Sequence, residues 1–224
     1  MHLEILVEDI SGKKALDAVV PRILGARGTF IVHPYKGIGH IPRNMKDASD
    51  PSKRILLTNL PKLLKGYGRT FAGYQPNYRA AVILVCDLDN RSLNTFTTEL
   101  NSILNACHPK PEARFCLAIE EGEAWLLGDL PALKAAYPNA KDDVLDSYQN
   151  DSICGTWEKL ADAVYTGGAK ALLQKGWQTV GTEKSRWAEE IAPRIDVDRN
   201  LSPSFCSFRD AIRSLVEDGE QASD

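Results

Sequence analysis

The sequence predicts an α/β fold, with a mainly parallel sheet flanked by helices and a C-terminal helical subdomain. Continuous apolar runs such as residues 80–86 (AAVILVC) are typical of strands that are buried on both faces, as parallel strands are. Such runs alternate with helical patterns early in the chain, whereas only helical patterns follow later. We therefore expect an α/β domain over residues 1–130, a helical subdomain over 131–216 and an acidic tail over 217–224.

Each element of the α/β domain has its own local signal. Short apolar runs predict strands at residues 3–8, 29–34, 80–86 and 113–119. Apolar residues at helical spacing predict helices at residues 12–24, 54–66 and 92–106. Ser11 is the expected cap of the first helix, and Gly66 is the expected stop of the second helix.

The helical subdomain is predicted from the same spacing of apolar residues. Its helices are expected at residues 131–136, 156–164, 168–175, 183–192 and 205–216. The last eight residues, EDGEQASD, are acidic, and we expect this short tail to be frayed.

Composition excludes several classes of protein. The 224 residues are 43% hydrophobic and 25% charged, which is ordinary for a globular chain and unlike a disordered, collagenous or coiled-coil one. No apolar run is long enough to span a bilayer, and the first residues carry acids instead of the basic start of a secretory signal. Five cysteines without a CxxC pair argue against a disulfide framework or a structural zinc site. We expect a cytoplasmic protein without a membrane partner.

A basic segment interrupts a slightly acidic chain. The net charge of −3 excludes binding of nucleic acid by bulk charge, but residues 36–69 hold eight bases and two acids. This segment would suit a polyanion such as nucleic acid, although a solvated surface is the simpler explanation. Its loop, residues 36–55, looks like an insertion. The candidate nucleic-acid contacts in this loop are Lys36, Arg43, Lys46, Lys53 and Arg54.

Acidic side chains follow three of the four predicted strands. They are Glu8 at the end of the first strand, Asp87 and Asp89 after the third, and Glu120, Glu121 and Glu123 after the fourth. The carboxyl ends of parallel strands meet at one edge of a sheet, and clustered carboxylates repel one another unless a cation neutralises them. Oxygen ligands suit Mg²⁺ or Mn²⁺ better than zinc. The pattern favours a metal site at this edge, with helix caps and surface ion pairs as the alternative.

Longer stretches of the sequence carry a family resemblance. They include LEILVEDISGKKALDAVVPRILG (3–25), AVILVCDLD (81–89), AIEEGEAWLLGDLPALKAAYP (118–138) and IAPRIDVDRNLSPSFCSFRDAI (191–212). In these stretches the chain resembles the DUF4276 family of Toprim-like bacterial proteins over nearly its whole length. The VED at the end of the first strand and the DLD after a buried strand are similar to Toprim motifs, so the resemblance implies a Toprim/Rossmann-like sheet.

The resemblance implies metal-dependent phosphodiester chemistry, because Toprim folds occur in topoisomerases, primases and nucleases of the overcoming-lysogenization-defect type. In that pattern Glu8 matches the catalytic acid or metal ligand, and Asp87 and Asp89 match the Mg²⁺ ligands. Glu121 and Glu123 match paired acids that would complete a second metal site or position the attacking water.

Two further features bear on the catalytic hypothesis. Lys184 in GTEKSRW and Lys36 are candidates for neutralising charge on the reacting phosphate, although a solvated surface position is the simpler role for either lysine. Asn90 stands where the family commonly has another acid soon after the DxD. This departure leaves the number of metal ions open.

The leading hypothesis is a Mg²⁺- or Mn²⁺-dependent nuclease that cleaves DNA or RNA. Similar proteins lie beside ATPases in anti-phage defence loci, so the resemblance also implies an ATPase partner and a defence role. One alternative is a catalytically inactive Toprim-fold subunit that serves as an interaction platform, and another is a phosphoryl-transfer enzyme for a small nucleotide. A homo-oligomer is compatible with each of these hypotheses.

Overall fold

The structure of the chain, a computed structural model, describes residues 1–42, 53–75 and 77–221. Two candidate nucleic-acid contacts, Arg43 and Lys46, lie outside these residues. The strands of the described part are β1 (His2–Val7), β2 (Thr29–Pro34), β3 (Ala80–Asp87) and β4 (Ala113–Ala118). They form one parallel sheet in the order β2-β1-β3-β4, which confirms the predicted α/β fold.

Helices follow each of these strands in the described part of the chain. Those that precede β4 are α1 (Ile10–Leu24), α2 (Leu56–Ala72) and α3 (Leu93–Asn105). Those that follow β4 are α4 (Glu123–Leu127), α5 (Leu130–Ala136), α6 (Asp142–Asp146), α7 (Thr156–Val164), α8 (Gly168–Leu173), α9 (Trp177–Ile191) and α10 (Pro203–Gln221). The helical character predicted for the C-terminal region is therefore confirmed.

The sheet is covered on both faces, which explains why its strands are continuously apolar. Alternate side chains of β1 point to opposite faces of the sheet. Leu3 and Ile5 enter a first core, which includes α1 and most of the C-terminal helices. Leu6 enters a second core, which includes α2 and α3. The connections after β1 and β3 thus lie on opposite faces of the sheet.

The C-terminal helices extend the first core. Helix α9 packs on α1, and α10 packs on both α1 and β4. The ring of Trp125 stacks on Phe208 at a centroid distance of 4.9 Å and meets Phe205 edge-on at 5.6 Å. The predicted helical subdomain is therefore joined to the sheet through a shared hydrophobic core.

The structure corrects several predicted helix ends. Asp9, not Ser11, caps α1: its carboxylate accepts the Gly12 N–H at 2.8 Å, and the Ser11 hydroxyl donates to the same carboxylate. Helix α2 does not stop at Gly66 but continues to Ala72. A glycine in a helix interior costs only about 1 kcal/mol relative to alanine, which the packing of α2 on the sheet outweighs.

Two other ends lie further out than predicted. Helix α9 begins at Trp177 instead of residue 183. Helix α10 continues to Gln221, so residues 217–221 of the expected frayed tail belong to this helix. Across the described ranges, no helix combines the length and the apolar character needed to cross a bilayer.

Candidate active site

The candidate site lies where β1 and β3 run side by side. Val7 at the end of β1 pairs with Val85 of β3. The chain leaves β1 through α1 in the first core and leaves β3 through α3 in the second core. Two adjacent strands whose connections diverge in this way leave a crevice at their carboxyl ends, where open α/β sheets bind ligands. Glu8 follows β1 at this crevice, and Asp87 is the last residue of β3.

A small cavity of about 60 Å³ opens at this crevice. Its polar lining includes four candidate residues from the sequence analysis, namely Glu8, Asp87, Glu123 and Lys184. Its apolar lining comes from the first core and includes Val7, Leu16 and Trp125. Charged groups thus face one another at the edge of a hydrophobic core, where water screens their charges only weakly.

The surroundings of Glu8 and Asp87 disfavour the ionised form of both side chains and raise their pKa values. Burial, followed by the charges of Asp9 and Asp89, raises the pKa of Glu8 from 4.5 to about 7. Burial, followed by the charges of Glu8 and Glu123, raises the pKa of Asp87 well above its usual value. Oε2 of Glu8 is buried and has no hydrogen-bond partner among the described residues. An unpartnered buried carboxylate oxygen is costly, so this position is suited to a bound cation.

Lys184 brings a positive charge to the other side of the cavity. Its Nζ lies 3.0 Å from Glu123 Oε2 and 3.9 Å from Glu121 Oε2. Burial would lower the pKa of Lys184, but the charges of Glu123 and Glu121 outweigh burial and hold its pKa above the usual range. Burial also raises the pKa of Glu121 to about 7, although Lys184 opposes that shift. The lysine therefore stays charged beside the two predicted second-site acids.

Asp89 lies at the rim and does not line the cavity. Its backbone has a positive φ of 50°, and its carboxylate pairs with Arg91 at 2.9 Å. The side chain is 45% exposed, yet its charge is one of those that raise the pKa of Glu8. Asp89 thus influences the site through its field while an arginine holds its carboxylate.

Glu120 turns away from the site and caps a helix. Its carboxylate accepts the backbone N–H groups of Cys154, Gly155 and Thr156 at 3.0–3.1 Å, and also the Thr156 hydroxyl. Gly155, the N-cap residue of α7, has no side chain with which to cap the helix. Burial alone would raise the pKa of Glu120, but these hydrogen bonds more than offset burial and hold its pKa below the usual value. Glu121 also accepts a backbone N–H of α7, from Trp157 at 3.1 Å.

The described part of the basic loop runs beside Glu8. The Gly37 N–H donates to the Glu8 carbonyl at 3.1 Å. Lys36, Lys53 and Arg54 are all exposed. The Arg54 guanidinium donates to the Pro34 carbonyl and lies over the ring of Tyr35, 5.9 Å from its centroid. The predicted nucleic-acid contacts that can be placed therefore lie near the carboxyl edge of the sheet.

Two residues of the cavity escaped the sequence analysis. Asp9 lines it while capping α1, and the VED motif contains the only local signal for it. Gly12 allows α1 to start close to β1, because a Cβ at this position would lie 2.6 Å from Val7 Cγ2. The need for a glycine there comes from a contact with the preceding strand, which a helix pattern does not reveal.

The carboxylates fit a hard divalent cation only in part. Among the residues described by the structure, no group of three or more His, Cys, Asp or Glu side chains is arranged to hold a metal ion. Glu8 and Asp87 nevertheless present oxygen donors to one cavity, and one of these oxygens lacks a partner. Carboxylate oxygens are the ligands that Mg²⁺ and Mn²⁺ prefer, and the cavity has room for an ion with a few waters.

Comparison with known proteins places the chain in one family. No curated protein and no solved structure matches it. A family model described as a domain of unknown function, DUF4276, matches residues 7–213. The match covers nearly the whole chain and includes every acid of the site as well as Lys184. The chain therefore belongs to the DUF4276 family.

Proposed function

We propose that this protein is a Mg²⁺- or Mn²⁺-dependent nuclease that hydrolyses phosphodiester bonds of DNA or RNA. The observation that carries the proposal is the pair Glu8 and Asp87, which face one cavity at the diverging strands with an unpartnered carboxylate oxygen and raised pKa values. The resemblance of the VED and DLD motifs to those of Toprim enzymes supports the same chemistry.

In this proposal Glu8 and Asp87 hold the metal ion, and Asp89 adds negative charge beside them. A bound divalent ion would polarise a phosphate oxygen and lower the pKa of a bound water. The apolar lining from Val7, Leu16 and Trp125 limits the access of bulk water, which strengthens the electrostatic interactions in the cavity.

We propose one metal ion rather than two, because Lys184 already supplies a positive charge on the side of Glu121 and Glu123. The ammonium group stays protonated at neutral pH and is positioned to stabilise negative charge that develops on a phosphate. Glu123 positions this lysine through its 3.0 Å ion pair. The resemblance further supports an ATPase partner and a role in anti-phage defence.

The alternative function is a catalytically inactive subunit that uses the same fold as an interaction platform. Its specific support is that two predicted metal ligands already have counter-ions within the protein. Asp89 pairs with Arg91, and Glu123 pairs with Lys184. In such a subunit the acids would stabilise the crevice through these pairs and would bind no metal.

Calorimetric titration with Mg²⁺ and Mn²⁺ separates the two functions. We expect the wild type to bind one divalent ion and Asp87→Asn, which keeps the side-chain shape, to bind it at least about tenfold more weakly. Asp143→Asn is the matched control, because Asp143 is an exposed carboxylate on α6. Lys184→Met should raise the stoichiometry to two, because the freed pair Glu121 and Glu123 then lacks a cation.

The same preparations are then incubated with plasmid, single-stranded DNA and total tRNA. We expect metal-dependent cleavage by the wild type and by Asp143→Asn, and none by folded Asp87→Asn. Failure of the wild type to bind either metal ion would reject the nuclease and favour the platform. A wild-type stoichiometry of two would reject the single-ion site.

A further inference from the structure

A second, larger concavity lies along α2, on the other face of the sheet from the cavity. It has a volume of about 390 Å³, and we call it the α2 groove. Its lining includes Tyr35, Arg54, Lys62, Gly66, Tyr67 and Thr70. The volume lies within the range of sites that bind small molecules or single nucleotide units.

In the described part of the chain, the lining of the α2 groove includes two cations, Arg54 and Lys62, and no acidic residue. Helix α2 contains Lys62, Lys65 and Arg69 and no acidic residue. Within the described ranges, no carboxylate pairs with Lys62 or with Arg54 on the opposite wall. The chain as a whole carries a net charge of −3, so this surface departs from the average of the protein. Its charge complements a polyanion.

The carboxylate of Glu4 touches the wall of the groove and is hydrogen-bonded by neighbouring side chains. Glu4 accepts the Tyr67 hydroxyl at 3.3 Å and also contacts two histidine rings. His33 Nε2 lies 2.5 Å from Glu4 Oε2, and His2 Nε2 lies 3.3 Å from Glu4 Oε1. These contacts hold the Tyr67 hydroxyl and the Glu4 carboxylate together beside the groove.

The walls also include two aromatic rings that already have contacts: the Arg54 guanidinium lies over Tyr35, and Tyr67 packs against Phe71. Tyr35 and Tyr67 are half-buried and both line the groove. Gly66 forms part of the helical wall next to Tyr67, and a Cβ there would meet no atom within 4 Å. The absence of a side chain keeps this part open, although a glycine within a helix costs about 1 kcal/mol relative to alanine. Aromatic rings beside cations are typical of surfaces that bind single-stranded nucleic acid.

One wall of the groove is hydrogen-bonded to the end of β1. The Tyr35 N–H donates to the Val7 carbonyl at 2.9 Å, and the Gly37 N–H donates to the Glu8 carbonyl at 3.1 Å. The segment that forms one wall of the α2 groove is therefore hydrogen-bonded to the end of β1, where the candidate site begins.

We propose that the α2 groove binds a single-stranded polynucleotide, with a base against the tyrosine rings and phosphates against Arg54 and Lys62. The inference rests on the proposed nuclease function and specifies its substrate as single-stranded. A duplex fits poorly, because paired and stacked bases do not offer their faces to tyrosine.

The test measures binding without cleavage. Fluorescence anisotropy is recorded in EDTA with labelled oligothymidylate and oligouridylate of about twelve nucleotides and with a duplex of the same length. Gly66→Leu fills the groove, and it should fold well because leucine favours the helix and open space surrounds its Cβ. Lys62→Ala removes one cation. Lys170→Ala, an exposed lysine on α8, is the matched control.

We expect the wild type to bind one or both single strands at least about tenfold more tightly than the duplex. Gly66→Leu should weaken single-strand binding about tenfold without lowering the melting temperature. Lys62→Ala should reduce the slope of log affinity against log salt by about 0.7, and Lys170→Ala should leave it unchanged. DNA and RNA are distinguished by the two labelled strands.

Tighter binding of the duplex, unchanged binding by Gly66→Leu, or no binding of either single strand by the wild type would each overturn the proposal. Because metal binding is measured separately by calorimetry, a failed groove leaves the metal result readable. Metal binding without strand binding rejects only the groove. Strand binding without metal binding rejects the nuclease and keeps the groove as part of a binding platform.

Discussion

At the scale of single residues, the site holds several carboxyl groups where burial and neighbouring acids disfavour their ionised forms. Glu8 is half-buried near Asp87, and its buried Oε2 has no partner in the described structure. Lys184 pairs with Glu123, and its charge only partly offsets the burial and the neighbouring acids that raise the pKa of Glu8. Within the first core the protein therefore tolerates an arrangement that destabilises its own fold. Such arrangements are typical of functional sites, where groups needed for activity reduce the stability of the fold.

The raised pKa of Glu8 predicts an unusual dependence of stability on pH. Its pKa is about 7 in the folded protein and 4.5 in the reference state, so the folded state binds the proton more tightly. The stabilising contribution is complete below about pH 4.5 and is lost as the pH rises through about 7. We expect the melting temperature in EDTA to fall across this window, by about 2–4 °C for each 1 kcal/mol lost.

Thermal unfolding followed from about pH 5 to about pH 8 checks this expectation, with Glu8→Gln as the comparison. The variant cannot ionise at this position, so its melting temperature should fall less; Glu121 and Asp87 keep part of the slope. Equal slopes in the wild type and in Glu8→Gln would contradict the assignment.

At the scale of elements, neighbouring acids at the end of β4 have different tasks. Glu120 has a positive φ of 61° and directs its carboxylate to the N-terminus of α7. Glu121 lies 3.9 Å from Lys184 and accepts one N–H of the same helix. The change in backbone direction at Glu120 therefore gives two neighbouring glutamates different roles: Glu120 caps α7, and Glu121 lies beside Lys184.

Replacing Glu120 should destabilise the fold and spare the metal site. Glu120→Asn suits the positive φ but is too short to reproduce the cap, so the variant isolates the lost hydrogen bonds. We expect a loss of about 1–2 kcal/mol in the free energy of unfolding, measured by urea titration. Calorimetry should find metal stoichiometry and affinity unchanged. Abolished metal binding in a folded variant would instead place Glu120 among the metal ligands.

Local sequence signals predicted elements well and contacts poorly. The predicted ranges of β2 and α7 agree with the structure because their apolar patterns end at clear boundaries. The predicted end of α2 at Gly66 was wrong, because the local sequence does not show whether a glycine ends a helix or lines an open groove within it. Helix caps were one predicted alternative for these acids, but the sequence did not show that Glu120 caps α7, since its partners there are more than thirty residues away.

At the scale of the whole molecule, one core joins the sheet to the C-terminal helices. Trp125 and Trp187 are buried in the first core together with Leu3 and Ile5 of β1. Helix α9 of this region also carries Lys184 to the site. The division into an α/β domain and a helical subdomain is therefore a division of sequence pattern, while packing and charge connect the two parts.

This shared core predicts one unfolding transition. All four tryptophans lie between residues 125 and 187, so their fluorescence reports on the C-terminal helices. Far-ultraviolet circular dichroism reports on the whole chain, including α1, α2 and α3. We expect the two signals to change at the same urea concentration. Separate midpoints would mean that the helical part unfolds independently of the sheet.

The position of Lys184 late in the chain determines when the site can be completed during synthesis. The strands, Glu8, Asp87 and Glu123 leave the ribosome before α9 does, because synthesis runs from the amino terminus. Until α9 has docked on α1, the nascent chain carries the acids without the lysine that pairs with them. In the proposed nuclease, the positive charge of Lys184 therefore joins the acids only after α9 has been synthesised and has docked.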